Sequence, residues 1–527
     1  MIFTLKYIWL LLLVLHISMP VSGQRKVQLE NADEYEGGRK DGKRYNKFMG
    51  NVHFIQGSTE IWCDSAFFYK KENTLEAYGH VRIFDMIDSV NITARRLEYD
   101  GDSKFANLRE NVIYKEDSIL LTTDFLDYDI FTRSAIYFNG GKIDDGENIL
   151  TSRKGYYDAP AKTMAFKRNV ILENPENTLK TDSLFYDMVT KIAITLGPTD
   201  IISSDGSEIH TNIGGTFNMR VNRTTIAAGV IETASYILKG DELFNDRGNG
   251  SNSARGNVYM YSKEDNIIIT GESADNYETE GITRIYGHPL MKKVFEQDTL
   301  YLSADTLISI EDSLDANNRM LAFHNVQFFR NDLQGKSDSL AYILADSVLH
   351  LYNDPVLWSE GNQIEADSIY IVFKNNQIST LNLIDNSFMI LQDSIENFNQ
   401  LKGKIMTGFF KNNDIQRLEV LGNSESLFYA LDEKDNSLVG INKTLCSNMT
   451  IRFSDNRAKD ISFYVDVEST FIPPHELVEP DTRLKGFNWR AQERPKLTDL
   501  LNPVENLSEI IESAPLNQEL IPQTMDQ

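Results

Sequence analysis

The chain has 527 residues and a formal net charge of −25, because 77 Asp and Glu residues outnumber 52 Lys and Arg residues. A polyanion of this kind is a poor candidate for nucleic-acid binding, which depends on clustered cations that neutralise phosphates. With 41% apolar and 10% aromatic residues, the composition is that of a folded chain rather than a disordered one. We therefore expect a buried core, divided among about two to four domains or continuous through one repeat array.

The first 23 residues have the features of an export signal. Lys6 supplies a positive charge, residues 7–17 form an apolar stretch, and Val21-Ser22-Gly23 offers small residues for cleavage before Gln24. An apolar stretch of about 11 residues is too short to span a bilayer, which requires about 20. We expect a mature, soluble protein of the periplasm, with association with the outer membrane as a further expectation and an uncleaved N-terminal anchor as the alternative.

The sequence predicts neither a disulfide scaffold nor a metal site. Its two cysteines, Cys63 and Cys446, are far apart, and Cys63 lies in an alternating apolar run that predicts a small buried side chain. The eight histidines are scattered, and the motifs of phosphate-binding loops and serine hydrolases are missing. We expect no cofactor, no metal and no enzymatic activity.

Two markers recur along the chain with one shared period. The first is a Val preceded by residues that tolerate unusual backbone dihedrals, at Gly50-Asn51-Val52, Gly79-His80-Val81, Glu110-Asn111-Val112, Arg168-Asn169-Val170, Gly256-Asn257-Val258 and His324-Asn325-Val326. The second is an Asp beside small or polar residues, at Asp64, Asp124, Asp182, Asp275, Asp305, Asp338 and Asp367. Both sets recur at roughly whole multiples of 30 residues, which predicts a repeat architecture.

Apolar residues at every second position follow each marker Asp, as Ala66 and Phe68 follow Asp64. That period indicates strands with one face in a core. Asp can bond nearby backbone and Asn or Gly tolerates a bulge, so we expect the markers where strand pairing changes direction. A ladder of calcium ligands is the functional alternative, although the repeats lack the glycines and additional oxygen ligands of calcium repeats. The repeats at Arg153-Lys154 and Thr211-Asn212 lack the Asp.

The pattern predicts five segments. They are the export signal at 1–23, a flexible lead-in at 24–46, a first strand block at 47–245, a second at 253–467 and a Pro-containing tail at 468–527. The Gly- and Asn-rich stretch between the two blocks is a loop or a seam. In the tail, Asn502-Pro503-Val504-Glu505 has the signals of a helix start, which predicts a short amphipathic helix that covers the end of the sheet.

Three early segments resemble the OstA/LptA-like domain of lipopolysaccharide transport: Gly50-Asn51-Val52-His53-Phe54-Ile55-Gln56-Gly57, Ile61-Trp62-Cys63-Asp64-Ser65-Ala66 and Tyr78-Gly79-His80-Val81. The tail sequences Leu484-Lys485-Gly486-Phe487-Asn488-Trp489-Arg490 and Arg494-Pro495-Lys496 resemble the ending of long OstA-like proteins of Bacteroidetes-type bacteria. The resemblance implies an all-β fold: a repetitive, twisted, open β-jelly roll, elongated, with a short C-terminal helical tail.

The resemblance also implies a function, which is to bind lipopolysaccharide in the periplasm and carry it between the inner and outer membranes. An apolar β-groove would shield the acyl chains, since each exposed CH₂ costs about 0.8 kcal/mol. The candidate groove residues are the inward strand positions Val52, Phe54, Ala66, Phe68, Leu126, Tyr128, Leu184 and Tyr186. An ordinary closed core gives the same pattern, so the residues alone leave both readings open.

The partners implied by the resemblance are lipid A acyl chains and other jelly-roll components of the envelope transport machinery, joined edge to edge, with an end-to-end oligomer as a further expectation. The first clear strand, near Phe48 to Ile55, follows a polar lead-in. We therefore expect its free edge, including Phe48, His53 and Ile55, to pair with a partner strand.

Two other classes of protein remain open from the residues alone. A structural or adhesive β-repeat surface protein would show the same repeat without a lipid ligand. A carbohydrate-active enzyme on a β-helix scaffold would need acidic residues that converge on a groove, and the repeats supply Asp without an exceptional site.

Overall fold

The structure is a computed structural model that describes residues 26–501, except 88, 296–297, 313–317, 360, 376, 394, 413, 433–434, 436 and 455–456. The described chain is almost entirely antiparallel β-structure, as predicted, and it divides into two units, the first ending at Ser204 and the second beginning at Asp205. The predicted export signal and the predicted helix after Asn502 lie outside the described residues. Among the helices described, none has the length and apolarity to cross a membrane.

The strands of the first unit form a meander. They are β1 (Gln28–Asn31), β2 (Glu34–Lys40), β3 (Lys43–Gln56), β4 (Thr59–Tyr69), β5 (Thr74–Asp85), β6 (Val90–Asp100), β7 (Phe105–Glu116), β8 (Ile119–Asp129), β9 (Ser134–Asp144), β10 (Ile149–Asp158), β11 (Thr163–Glu173), β12 (Asn177–Asp187) and β13 (Ile192–Ser203). From β3 to β13 each strand pairs with the next. The two short strands β1 and β2 both pair with β3.

Each long strand bends at a bulge near its middle, which folds the meander into two layers. In the β3–β4 pair the register shifts between Met49 and Val52, so the two halves of each strand belong to different layers. We call layer A the halves next to turns such as 70–73 and 101–104, and layer B the halves next to turns such as 57–58 and 117–118. The bulge also resets the alternation, so that apolar residues of both halves face the interior.

The two sequence markers meet at these bends, which we call corners. Asn51, with a φ of 44°, donates its side-chain amide to Asp33 at 2.8 Å, and the backbone N–H of Asn111 donates to Asp124 at 3.0 Å. A Cβ on Gly79, with a φ of 73°, would collide with a carboxylate oxygen of Asp64. The Asp of one strand thus caps the left-handed residues of its neighbour, and the prediction that the markers lie at bends is confirmed.

One predicted marker is wrong. The corner of strand β18 (Ile267–Tyr277) is formed by Glu272, whose side chain lies against Gly287, whereas Asp275 lies opposite Arg284 in a regular ladder. Glu272 carries the same carboxylate on one more methylene, so a search for Asp alone misses it.

The second unit is also a meander, and corners divide several of its strands in two. They are β14 (Glu208–Asn218), β15 (Arg223–Glu232), β16 (Tyr236–Asp246), β17 (Ser251–Ser262), β18 as above, β19 (Ile282–Tyr286), β20 (Leu290–Val294), β21 (Thr299–Ser303), β22 (Thr306–Ile310), β23 (Arg319–Arg330), β24 (Leu333–Ile343), β25 (Val348–Tyr352), β26 (Val356–Ser359), β27 (Asn362–Glu365), β28 (Ser368–Lys374), β29 (Gln377–Gln392), β30 (Phe398–Lys411), β31 (Asp414–Leu431), β32 (Leu438–Ser454), β33 (Arg457–Tyr464) and β34 (Glu468–Ile472). The Gly- and Asn-rich stretch 246–252 is the turn region of the paired hairpin β16–β17. The predicted blocks 47–245 and 253–467 stay a prediction, while the division between the units lies at Ser204.

The tail of the chain forms a strap, residues 473–501, that lies across the second unit. It contains 3₁₀ turns at Pro474–Glu476, Glu479–Thr482 and Ala491–Glu493 and the short helix α1 (Leu497–Leu500). Leu484 packs with Phe388, Ile390, Leu427 and Ile441, and Leu500 and Leu501 pack with Leu290. The strap therefore buries apolar side chains that the sheet alone would expose.

Buried glutamines hold the strap. One cross-strand row, which we call the glutamine row, contains Phe329, Gln334, Trp358, Gln363, Ile390, Gln400 and Leu427. The side-chain amide of Gln363 donates to the carbonyl of Asn488 and accepts from the N–H of Arg490, both at 2.7 Å. Gln400 makes the same pair with Thr482 and Leu484, at 2.9 and 2.7 Å. Each glutamine thus supplies the hydrogen bonds that a neighbouring strand would supply.

The predicted flexible lead-in at 24–46 is wrong, because it contains β1, β2 and the start of β3. Asp41 and Gly42 form the turn between β2 and β3 with φ of 51° and 78°, the geometry of a tight hairpin. Both faces of β2 are largely exposed, so no apolar alternation marks it. The Asp-Gly pair was the available signal for this hairpin.

Candidate functional site

The eight predicted groove residues all face the interior between layers A and B of the first unit. Val52 and Phe54 are on β3, Ala66 and Phe68 on β4, Leu126 and Tyr128 on β8, and Leu184 and Tyr186 on β12. None is more than 6% exposed. We call this interior the slot.

Side chains of the two layers meet across the slot. The ring of Phe54, in layer B, lies 5.5 Å from the ring of Phe68, in layer A. Tyr114 of layer B makes the same kind of contact with Tyr128 and Tyr157 of layer A, at 5.6 and 6.2 Å between ring centroids. The slot is therefore filled by the protein's own aromatic and aliphatic groups, and an acyl chain would enter only if the layers moved apart.

Polar contacts close the slot at the end remote from the corners. The Gln56 amide of layer B donates to the carbonyl of Gly101 at 2.7 Å and accepts from the Tyr99 hydroxyl at 2.6 Å, both in layer A. Further along, Lys191 of layer A donates to Glu147 of layer B at 3.1 Å. We call this line of contacts the polar seam.

Glu116 makes the most extensive contact of the polar seam. Its carboxylate accepts from Arg133 at 2.9 Å and from the hydroxyls of Tyr114 and Tyr157 at 2.7 and 3.0 Å. Burial, and the negative charge of Glu116, raise the pKa of Tyr157 above its usual value, so this phenol stays a donor. A hydrogen bond to a charged group contributes about 1.5–3 kcal/mol to stability. The polar seam therefore resists separation of the layers in addition to the apolar contacts of the slot.

One buried hydroxyl of the slot lies beside the polar seam. The Tyr186 hydroxyl is buried in the slot and lies close to the Lys191 side chain. Burial raises the pKa of Tyr186, and the Lys191 side chain opposes that shift. Lys191, which also donates to Glu147, therefore links this hydroxyl to the polar seam.

The predicted partner edge is wrong. Phe48, His53 and Ile55 lie on β3, which pairs with β4 on one side and with β1 and β2 on the other. The hydrogen bonds of β3 are therefore used within the first unit. Among the described strands, the edge at this end is formed by β1 along layer B and β2 along layer A.

Sequence reasoning missed the polar seam. Gln56 enters the sequence analysis only as part of the segment Gly50 to Gly57, and Glu116 and Arg133 are two charged residues in a strongly charged chain. Nothing local marks them, because their partners in layer A are separated from them by 17 to 45 positions. The prediction for Cys63 is confirmed: it is buried, and burial raises the pKa of its thiol to about 12. Within the described ranges, acidic, His and Cys side chains form no group that could hold a metal ion.

Comparison with known proteins finds a family match within the first unit. Residues 24–182, which are 159 of the 527, match the family described as OstA-like protein. The chain is similar to this family over this region. The resemblance drawn from Gly50–Gly57 and the segments after it is thereby confirmed, and the OstA-like region contains Gln56, Glu116 and Arg133 of the polar seam.

A solved structure is similar over a shorter part of the chain. It is the crystal structure of LptH, the LptA homologous periplasmic component of the conserved lipopolysaccharide transport device from Pseudomonas aeruginosa. The two chains are 11% identical, the alignment covers 22% of this chain and 82% of that one, and the TM-score is 0.20. A similarity of this size carries no argument about function. The search of curated proteins found no match.

Proposed function

We propose that the protein binds lipopolysaccharide in the periplasm and carries it between the inner and outer membranes. The observation that supports this most is that the family match and the slot lie in the same part of the chain. The OstA-like match at 24–182 covers most of the strands that build the slot, including six of its eight named residues, and most of the polar seam. The protein acts as a carrier, and the chemistry asked of it is burial of acyl chains rather than catalysis.

Acyl chains enter between layers A and B when the polar seam opens. Each CH₂ removed from water contributes about 0.8 kcal/mol, so two or three methylenes offset the loss of one seam contact. The aromatic contacts across the slot, such as Phe54 with Phe68, are exchanged for contacts with the lipid. Affinity comes from this apolar burial, because a chain of net charge −25 provides no general attraction for anionic phosphates.

The Arg133→Ala variant tests this entry route. Removing the guanidinium leaves Glu116 bonded only to tyrosine hydroxyls, which weakens the seam and leaves the slot lining intact. We expect purified lipopolysaccharide to bind severalfold faster, and the free energy of unfolding of the first unit to fall by about 1–2 kcal/mol. Stopped-flow fluorescence of a lipid probe, calibrated against direct lipopolysaccharide binding, measures the rate.

Arg96→Ala is the matched control. Arg96 pairs with Glu98 on the outer face of the same layer, where both side chains are about half exposed. This variant should leave the binding rate unchanged. An Arg133→Ala protein that is destabilised but binds at the wild-type rate would show that the seam is not the entrance, and a wild-type protein that binds no lipopolysaccharide would contradict the function itself.

The partner edge is reassigned to β1 and β2. Their outer backbone groups can pair with a strand of a similar β-domain, which is the arrangement the family resemblance implies. A photo-cross-linker at Leu29 of β1 should capture an envelope transport component, and one at Phe131, in an exposed turn, should not. Capture at Phe131 alone would contradict this edge.

A structural or adhesive β-repeat protein without a lipid ligand is the alternative function. One observation favours it, which is the complete burial of all eight slot residues. Such a protein would bind no lipopolysaccharide, and Arg133→Ala would change its stability alone.

A further inference from the structure

The outer face of layer A over β10 to β13 carries an exposed apolar row. Tyr156, Ala165, Phe185 and Ile194 are successive cross-strand neighbours. The row points away from the slot, because it alternates with the buried residues Leu184 and Tyr186. Tyr156, Phe185 and Ile194 are 38%, 42% and 37% exposed, and Leu196 in the adjacent row is 66% exposed. A contiguous group of this kind marks an interaction surface.

Cations border this row on its corner side. Lys154 lies opposite Lys167 in the row that continues through Ser183 to Leu196, and Arg153 and Arg168 follow at the corners. All four cations are exposed, and within the described residues none is in ion-pair or hydrogen-bond contact through its side chain. Arg153 lies at the corner position where other strands carry the capping Asp. A positive charge therefore replaces a negative one here, and this face is locally cationic although the chain is acidic.

The charge of this face is opposite to that of the whole molecule. The chain carries −25 overall, yet four cations are adjacent here. Carboxylates occur only at the margin among the described neighbours, with Asp182 at the next corner and Asp158 and Asp187 two positions beyond the apolar row. Like charges on adjacent strands repel one another. An anionic partner bound to this face would therefore reduce the repulsion among the four cations.

We infer that this face binds the surface of an anionic phospholipid bilayer. The combination of cations with exposed aliphatic and aromatic groups is the one that favours the lipid headgroup region, where Tyr places its ring in the apolar part and its hydroxyl in water. The surface is a sheet face over four strands, on the order of 14 Å wide, and so suits a flat partner. Binding through it leaves the slot and the β1–β2 edge free.

Vesicle cosedimentation tests the inference. The mature chain, from Gln24 onward, is mixed at low and at high salt with vesicles of phosphatidylcholine alone or with about 30% phosphatidylglycerol. We expect binding to the anionic vesicles at low salt and little binding to phosphatidylcholine. The double variant K154E/K167E should bind the anionic vesicles at least about tenfold more weakly than the wild type. Each cation near an anionic surface contributes substantially to the binding free energy. Leu196→Ser, at a mostly exposed position, should weaken binding about threefold.

Two control variants separate this face from general charge and hydrophobicity. K70E/K71E makes the same change of charge at exposed lysines in the turn after β4, and Phe131→Ser removes an apolar group that is 80% exposed. Both should bind as the wild type does. Equal loss in K70E/K71E, no loss in K154E/K167E, or no binding of the wild type to anionic vesicles would overturn the inference.

A purely electrostatic site is a further outcome that would overturn it. In that case Leu196→Ser binds as the wild type does, and K154E/K167E loses binding to a soluble polyanion such as heparin. The test is independent of the proposed carrier function, because Arg133 and the slot are unchanged in all of these variants.

Discussion

The two units differ in how far the apolar residues on the outer faces of their sheets are covered. In the second unit the glutamine row is covered by the strap, and Ile390 is fully buried. In the first unit Ile194, which also points outward, is 37% exposed and has no strap over it among the described residues. An outward apolar row is thus buried where the chain's own tail covers it and stays partly exposed on the face that we propose binds a membrane.

The largest expected difference comes from one substitution made in both rows. Ile390→Ala should lower the free energy of unfolding of the second unit by about 4 kcal/mol, because it leaves a cavity between sheet and strap. Ile194→Ala should cost less than about 1 kcal/mol, since part of its side chain is already in water. Denaturant unfolding followed by hydrogen exchange of each unit measures both. Equal losses would show that the two outer faces are not different.

A second prediction concerns the ion pairs of the strap. Arg490 is 9% exposed, donates to Asp354 at 2.8 and 2.9 Å and to Glu493 at 2.9 Å, and lies 3.9 Å from Glu365. Arg490→Ala should destabilise the strap by about 3 kcal/mol, less than a fully buried pair because Asp354 is mostly exposed. Limited proteolysis should then cut the strap while the first unit stays protected.

Arg483→Ala is the control within the same strap. Arg483 is exposed and lies over the ring of Phe487 at 5.1 Å, so its loss should cost less than about 1 kcal/mol. Cleavage of the strap at the same rate in both variants would argue that Arg490 does not hold it.

The third prediction is a pH dependence of the strap. Burial raises the pKa of Glu365 from 4.5 to about 7, against the opposing effect of Arg490. A raised pKa means that the neutral form fits the folded state, so this contribution is complete below about pH 4.5 and is lost as the pH rises through 7. Hydrogen exchange of residues 484–490 should show the strap weakening by about 2 kcal/mol across that range.

Glu365→Gln keeps the shape and removes the titration, so its strap should not weaken as the pH rises. Glu493 has the opposite sign, because hydrogen bonds from Arg490 lower its pKa to about 2. Its contribution is present above about pH 4.5 and lost only as the pH falls toward 2. A wild-type strap that is as stable at pH 8 as at pH 5 would contradict the role of Glu365.

Much of the first unit could be predicted from the sequence because the bulges repeat. A corner needs left-handed residues on one strand and an acid on its neighbour, as at Gly79 and Asp64. The recurrence of this combination along the chain makes it recognisable in the sequence. The alternation around Phe54 and Phe68 also predicted which face is buried. Alternation reports the inward face only, so it could not distinguish a filled slot from an open groove.

The other features depend on contacts that leave no local pattern. The β1–β3 pairing is made by backbone groups of a polar segment, and the strap is held by glutamines whose partners are 82 to 127 residues away. A buried Gln400 in a strand looks the same in sequence as an exposed one. The runs Val356-Leu357-Trp358 and Phe388-Met389-Ile390-Leu391 do carry a signal, since strands apolar on both faces are covered on both faces.

The most direct test of the central claim is to place a small photo-cross-linker, such as azidophenylalanine, at Phe68 or at Phe67. These neighbours lie on opposite faces of β4, with Phe68 in the slot and Phe67 on the outer face. We expect a covalent adduct with lipopolysaccharide from Phe68 and none from Phe67, in proteins whose unfolding transitions match the wild type. Adducts of equal yield from both positions, or none from a folded Phe68 variant, would contradict the claim that the slot receives the lipid.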